Sequence, residues 1–327
     1  MNKRIPILSI IGILLVAAGI LVATCVGAKT ISLSTVFDSI FHFEDNLDMQ
    51  LVRNARLPRA VSSALVGGIL AMAGAMMQGV TRNPIAEPSV MGMTQGATLA
   101  VAIVSTNATF YGVLGNTVAA LIGALFSGIL VLLFSMQKAS NMSMSRLLLA
   151  GTAMSTFFIS MASVIAMLNN RSQELSFWIT GGFRTAGWNQ VKLLLIVGGI
   201  CVILAMILSH KINIVSLGEE VAIGLGINPV KIRFFTIILL IPMCAVSVAT
   251  AGNIAFVGLI VPHIIRRVVG IDYRAVMPLS FLFGSALLVW SDIAARMVNA
   301  PYETPIGLFT AMIGVPIFIA LVRKERS

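Results

Sequence analysis

Residues 5–26 read IPILSIIGILLVAAGILVATCV and contain no charged side chain. A helix needs about 20 mainly apolar residues to cross a bilayer core, so this stretch predicts a membrane span. The rest of the chain has the same character, because 58% of its 327 residues are hydrophobic, only 10% are charged and its mean hydropathy is +0.98. No polar stretch is long enough for a separate globular unit. We therefore predict one all-α transmembrane domain over residues 1–327.

Ten apolar segments are candidate membrane helices: 5–26, 60–80, 90–104, 113–134, 147–168, 191–208, 234–249, 254–265, 276–290 and 306–321. Several are short, and Pro242, Gly252 and Pro262 are typical of broken helices, which survive in a membrane only where protein or water surrounds them. Most of the 22 Lys and Arg residues lie in loops that share one side of the membrane with the N-terminus. Loops rich in Lys and Arg favour the cytoplasm. The sequence predicts a multi-pass protein of the cell membrane with ten helices and both termini cytoplasmic.

Polar loops are few. Residues 29–51 and 169–190 are predicted outer loops, and 32–41 has the pattern of a short interfacial helix. The inner loop 210–233 contains an amphipathic stretch over 215–225 that suits a protein partner or lipid headgroups. Because two acidic residues are adjacent in that stretch, a protein partner is the stronger hypothesis.

Arginines gather on the outer side, against the general trend. Arg56 and Arg59 flank Pro58, and their spacing of three puts both guanidinium groups on nearly one helix face. Such groups are forked donors for carboxylates, although arginines near a helix end also reach towards headgroups. Asp292 and Arg296 are four residues apart, which fits a local ion pair or a functional role equally well.

The turn of residues 82–88, RNPIAEP, joins two predicted spans on the inner side. Its two prolines force a rigid bend, and Asn83 and Glu87 place polar groups at the inner mouth. A gate and a simple connector both remain open for it. His263 follows a stretch of small residues and has no second ligand at metal-binding spacing, so we expect it to be hydrogen-bonded.

Motifs of known enzymes are missing from the sequence. There is no GxxxxGK[ST] loop, no HExxH and no GxSxG. The three cysteines lie in apolar runs without metal-ligand spacing. We expect no catalytic residue, no cofactor, no metal site and, despite the net charge of +10, no nucleic-acid partner.

Taken together, the segments resemble the permease family of ABC importers for ferric siderophores, haem and cobalamin, often called the FecCD type. The matching motifs are RLPR (56–59), RNPIAEP (82–88), RLLLAG (146–151), WITGGF (178–183), LGEEVAIGLG (217–226), FVGLIVPH (256–263), DYR (272–274), DIAAR (292–296) and ETPIG (303–307). Each motif alone is weak, but their order and spacing are specific.

The resemblance implies a permease subunit that passes an iron–siderophore complex inward, with cobalamin or haem as alternative cargo. Its implied partners are a second permease, identical or a sister chain, two cytoplasmic ATP-binding subunits, an extracytoplasmic substrate-binding protein or lipoprotein, and membrane lipid. The implied binding-protein docking residues are Arg56, Arg59 and Arg296. The implied ATPase-coupling residues are Leu217, Gly218, Glu219, Glu220, Ala222, Leu225 and Gly226, within the coupling segment 215–226. The implied cytoplasmic gate is Asn83, Ile85, Met144 and Ser145.

Two other classes of protein compete with this interpretation. A secondary transporter driven by an ion gradient would need paired carboxylates or a relay at mid-membrane, and only Asp292 is a candidate. A membrane scaffold or sensor would leave the proline-rich turn and the amphipathic stretch without a purpose.

Overall fold

The computed structural model describes residues 4–106, 112–135, 144–300 and 302–325. All regular structure in these ranges is helical. The helices are α1 Arg4–Cys25, α2 Leu33–Phe41, α3 Leu47–Thr81, α4 Met93–Val104, α5 Val113–Ser135, α6 Met144–Leu168, α7 Ser172–Thr180, α8 Trp188–Ser216, α9 Glu219–Gly224, α10 Pro229–Ala251, α11 Val257–Val269, α12 Tyr273–Met297 and α13 Ile306–Glu325.

Each of the ten predicted segments overlaps one of these helices. Within the described ranges, seven helices are long and apolar enough to cross a membrane: α1, α3, α5, α6, α8, α10 and α12. The predicted spans over 90–104, 254–265 and 306–321 correspond to the shorter helices α4, α11 and α13. The count of ten crossings and the side on which the termini lie stay predictions.

Two helices begin earlier than predicted, inside the predicted outer loops. α3 begins at Leu47 because Asn46 caps it, with the Asn46 side chain accepting a hydrogen bond from the Met49 amide at 2.9 Å. The helix then passes through a π turn, Val52–Arg56, before it enters the bundle. α8 likewise begins at Trp188 and contains a π turn at Leu194–Gly198. Polar residues at the helix starts had concealed both extensions from a search for apolar runs.

The helix predicted over 32–41 is confirmed as α2, which Ser32 caps by accepting a hydrogen bond from the Thr35 amide, and its interfacial position stays a prediction. The predicted amphipathic stretch 215–225 is divided between two helices. Its first residues end α8, and the separate helix α9 covers only Glu219–Gly224. Pro242 does not break α10, which continues through it to Ala251.

α3 is the centre of the bundle, and α12, α10, α11 and α8 pack around it. Close packing depends on glycine at the helix crossings. A Cβ atom on Gly74 would overlap the carbonyl oxygen of Gly258 in α11, and one on Gly67 would overlap that of Gly284 in α12. α1, by contrast, buries only four of its residues.

The predicted helix break between the segments 234–249 and 254–265 is present. α10 ends at Ala251, and the chain passes through Gly252 and Phe256, both with positive φ, before α11 begins. The Asn253 amide donates to the Trp178 carbonyl oxygen at 3.1 Å, which ties the break to the end of α7. The chain can therefore change direction inside the bundle while its backbone stays paired.

Candidate functional site

Two charged clusters lie at opposite ends of α3. The arginine cluster consists of Arg56, Arg59, Asp292, Arg296 and Glu303, and the Glu219 cluster consists of Arg82, Glu219 and Arg233. From residue 59 to residue 81, α3 rises roughly 33 Å at 1.5 Å per residue. This length matches the thickness of a bilayer core, about 30 Å. The distance between the clusters is therefore close to the thickness of a bilayer core.

Asp292 is the centre of the arginine cluster. Its side chain is fully buried, and its carboxylate accepts hydrogen bonds from Arg59 Nη2 at 2.8 Å and Arg59 Nε at 3.2 Å. Arg296 Nε lies 3.2 Å from the other carboxylate oxygen. Arg59 also donates to Glu303 at 2.6 Å through Nη1. The local ion pair that the sequence offered for Asp292 and Arg296 is confirmed, and Asp292 has a further partner that was not predicted, Arg59 on another helix.

The remaining arginine contacts hold the end of α1. Arg56 Nη1 donates to the carbonyl oxygens of Thr24 at 3.0 Å and Cys25 at 2.9 Å. Arg296 Nη1 and Nη2 each donate to the Ala23 carbonyl oxygen at 3.2 Å. The last carbonyls of a helix have no partner within the helix and carry partial negative charge, so guanidinium groups stabilise them. Arg56 and Arg296, both predicted to dock a binding protein, are 7% and 9% exposed.

The exposed edge of the arginine cluster borders a cavity of about 300 Å³. Arg59, Arg184 and Glu303 line it, together with the glycines that follow α7. Arg184 is well exposed, and its Nε lies 3.8 Å from a Glu303 carboxylate oxygen. Glu303 already pairs with both guanidinium groups, so a carboxylate from outside the chain would have to share or displace it. Sequence reasoning had missed Arg184 and Glu303 as site residues.

At the opposite end of α3, the turn 82–88 is held by its own polar groups. The Asn83 side chain accepts a hydrogen bond from the Ile85 amide at 3.0 Å, and Ile85 is exposed. The Glu87 carboxylate accepts from the Phe256 amide at 2.8 Å and thereby caps the start of α11. Burial raises the pKa of Glu87. Met144 and Ser145 begin α6, but the side chains of both predicted gate residues lie outside the described part of the chain.

The predicted coupling residues form a small projection around α9. Ala222 is fully buried, which fixes one face of α9 against the bundle. Gly218 and Gly226 have positive φ and flank the helix. Leu217 and Leu225 are 57% and 61% exposed, so the outward face presents apolar side chains away from the spanning helices.

Glu219 and Glu220 differ in their surroundings. Glu219 lies 2.5 Å from Arg233 Nη2 and 3.8 Å from Arg82 Nη2. The hydrogen bond and charge of Arg233 lower the pKa of Glu219. Glu220 is exposed and has no hydrogen-bond or ion-pair partner within the described ranges. The sequence did not predict Arg82 and Arg233 as partners of Glu219. Arg233, for example, lies 14 positions after Glu219 in the chain.

The prediction made for His263 is wrong. His263 was expected to be hydrogen-bonded, but neither of its buried ring nitrogens has a partner among the residues that the structure describes. The side chain lies on α11 one turn before Arg266 and Arg267, so a positive ring would be repelled there. No group of three potential metal ligands occurs in the described ranges.

Comparisons with known proteins agree with this architecture. The model of the FecCD transport family matches residues 14–324. The iron(3+)-hydroxamate import system permease protein FhuB of Bacillus subtilis is 40% identical over 98% of this chain and 84% of its own length. The ferric enterobactin transport system permease protein FepD of Escherichia coli is 32% identical over 99% of this chain and 96% of its own. A solved inward-facing structure of a metal-chelate type ABC transporter superposes with a TM-score of 0.85 at 27% identity, covering 98% and 99% of the two chains.

Proposed function

The chain belongs to the FecCD transport family, and from that membership we infer how its two charged clusters work. It is the permease subunit of an ABC importer for iron–siderophore complexes and a multi-pass protein of the cytoplasmic membrane. The observation that carries this conclusion is the family match over residues 14–324. A carrier driven by an ion gradient is disfavoured, because Asp292 is neutralised by two arginines and lies at one end of α3.

We propose that the chain crosses the membrane ten times, with α4, α11 and α13 as the short crossings and both termini in the cytoplasm. The arginine cluster then lies at the outer surface and the Glu219 cluster at the inner surface. The distribution of Lys and Arg among the loops supports this orientation.

An extracytoplasmic substrate-binding protein is the proposed partner at the outer surface. Arg56, Arg59 and Arg296 remain the predicted docking residues. In this conformation Arg56 and Arg296 are occupied by the end of α1, so an acidic partner would first meet the cavity edge formed by Arg59 and Arg184. Guanidinium groups at such an edge would steer an acidic surface into register.

Part of α6 has the character of a pathway wall. Thr152, Thr156, Ser160 and Ser163 are all exposed and lie on one face of this apolar helix. A neighbouring cavity of about 230 Å³ is lined by Gln95, Ser155 and Asn253, among others. Each of these hydroxyl groups donates to a carbonyl oxygen of its own helix. Because the hydroxyl-bearing face adjoins this polar cavity, we propose that it lines a polar pathway shared with a second permease subunit, identical or a sister chain. Neutral polar walls suit a weakly specific pathway.

The permease itself is not catalytic, in keeping with its relatives. We propose that two separate cytoplasmic ATP-binding subunits hydrolyse ATP and that α9 is seated on one of them. The exposed apolar residues of α9 support this, because they lie on a segment that no spanning helix covers and an apolar centre is typical of protein interfaces.

Co-purification from detergent tests the coupling role. Leu225→Arg places a charge in the proposed interface, and we expect it to abolish retention of an ATPase that co-purifies with the wild type. Ile271→Arg is the matched control, since Ile271 has a similar exposure, 63%, in the nearby loop between α11 and α12. An ATPase retained equally by both variants would exclude α9 from the interface, and a wild type without any ATPase would contradict the importer assignment.

A further inference from the structure

α9 is attached to the bundle at few points. Its length is six residues, and Gly218 and Gly226 on either side have φ of +134° and +75°, which bulkier residues rarely adopt. Of its side chains, Ala222 is buried, whereas those facing outward are exposed. A helix this short and flanked by such turns has little stiffness of its own, so any force on α9 needs a side-chain connection to reach the spanning helices.

Glu219 supplies such a connection. Its carboxylate lies 2.5 Å from Arg233 Nη2, at the start of α10. The Arg233 side chain is only 13% exposed, and its Nε donates to the carbonyl oxygen of Val80 at 3.2 Å. Arg233 therefore joins Glu219 of α9 to the last turn of α3 through one guanidinium group.

A second branch leads from Glu219 to the residue that ends α3. Arg82 Nη2 lies 3.8 Å from the same carboxylate oxygen of Glu219. Arg82 adopts the left-handed conformation with φ of +52°, which is strained for a residue with a side chain. It is also the first residue of the turn 82–88. Both branches thus converge on the point where α3 becomes that turn.

We propose that Glu219 is a positioning residue, a tether that moves the turn 82–88 together with α9. This rests on the proposed role of α9 as the seat of an ATPase. Glu220, one residue further on, is free of internal partners within the described chain and faces outward. The two adjacent glutamates therefore have different tasks, Glu219 within the permease and Glu220 at its surface.

Hydrogen–deuterium exchange of the co-purified permease–ATPase complex tests the tether. Exchange is measured with and without a non-hydrolysable ATP analogue over two segments, 217–226 and 82–88. In the wild type, nucleotide changes exchange in both segments. In Glu219→Gln we expect the change in 217–226 to persist and the change in 82–88 to fall at least threefold. Arg233→Gln breaks the same contact from the other side and should reproduce this result. Glu44→Gln makes the same chemical change at an exposed acid between α2 and α3, far from α9, and is the control that keeps both changes.

Each other outcome overturns the tether. If Glu219→Gln responds like the wild type in both segments, transmission does not use this residue. If the variant loses the ATPase, Glu219 acts in docking, and the proposed function stands without the tether. If the wild type itself brings no ATPase, the proposed function fails, and the tether fails with it.

Discussion

The arginine cluster and the Glu219 cluster use the same chemical groups at opposite ends of one helix, yet they differ in burial. Asp292 is inaccessible and its two arginine partners are 12% and 9% exposed, whereas Glu219 is 48% exposed and its partners Arg82 and Arg233 are 45% and 13% exposed. The first cluster joins α1, α3 and α12, and the second joins a short loop helix to the end of α3.

This difference in burial indicates two roles. We call the arginine cluster the frame, because it connects three helices, and the Glu219 cluster the joint, because it connects a short loop helix to the bundle. Buried charges that have lost water are costly to separate, because whichever partner is left behind stays unpaired. Exposed ion pairs contribute about 0–1 kcal/mol, so the Glu219 cluster adds little to the stability of the fold and can link parts that move together. The arginine cluster is suited to hold three helices in place, and the Glu219 cluster is suited to a part that moves.

Asp292→Ala should produce the largest effect. It leaves Arg59 and Arg296 buried beside each other without their shared acid, and we expect a loss of about 3–5 kcal/mol in the free energy of unfolding. The measurement is the thermal or denaturant midpoint of the purified protein in detergent. Asp48→Asn is the control, because it removes the exposed pair with Lys29. Equal losses of unfolding free energy in Asp292→Ala and Asp48→Asn would show that the buried cluster stabilises the fold no more than an exposed ion pair does.

Arg296→Gln should come second. Asp292 keeps Arg59, but the end of α1 loses the bonds to Ala23 and Val26, and charge-assisted hydrogen bonds are worth about 1.5–3 kcal/mol. Amide exchange over residues 20–28 should accelerate. Arg184→Gln, at the exposed edge, should leave that exchange unchanged. Protection that survives in Arg296→Gln would show that the other contacts of α1, including the Arg56 bonds to Thr24 and Cys25, are sufficient to hold its end.

Glu303→Gln should have a smaller effect, on association more than on stability. It leaves Arg59 and Arg184 without their exposed acid and makes the cavity edge more positive. We expect the binding protein to associate several-fold more tightly at low salt, with a steeper salt dependence. Glu44→Gln, an exposed acid in the loop after α2, is the control. Weaker association of Glu303→Gln would remove the cavity edge from the docking surface.

Acid should have the smallest effect, because it acts on the exposed joint. The pKa of Glu219 is lowered by Arg233, so the contribution of the tether is complete above the ordinary value of 4.5 and disappears only as the pH falls through the lower native value. The infrared carboxylate signal of wild type minus Glu219→Gln reports this titration. Arg233→Gln should shift the midpoint of this titration to higher pH. An unshifted midpoint would show that Arg233 does not lower the pKa of Glu219.

Apolar runs were sufficient to predict where the spanning helices lie. They could not predict the early starts of α3 and α8, because both begin with polar residues. Asn46 caps α3, whose π turn Val52–Arg56 is polar, and α8 begins with WNQVKL. Hydropathy detects the part of a helix that lies in lipid, not the part that continues beyond it.

The candidate site was predictable in residue type but not in partnership. The sequence offered the pair of Asp292 and Arg296, but not the carbonyl groups of Cys25 and Ala23, which Arg56 and Arg296 bind from 31 and 273 residues away. Backbone carbonyls leave no pattern in a sequence. For the same reason Glu219 and Glu220 looked equivalent, and only the position of Arg233 in space distinguishes them.

The attachment of α1 also sets an order of events during synthesis. α1 is synthesised before the other described helices. Arg56, which holds part of its end, follows 31 residues after Cys25. The contacts from α12 come much later: Arg296 follows Ala23 by 273 residues, and the same helix carries Trp290, which donates to the Leu15 carbonyl oxygen, and Leu282, which packs against Gly12. Because its surface is apolar on all sides, α1 can remain in the lipid bilayer without these contacts until α12 is made. The contacts between α1 and the bundle are therefore completed only when α12 is inserted.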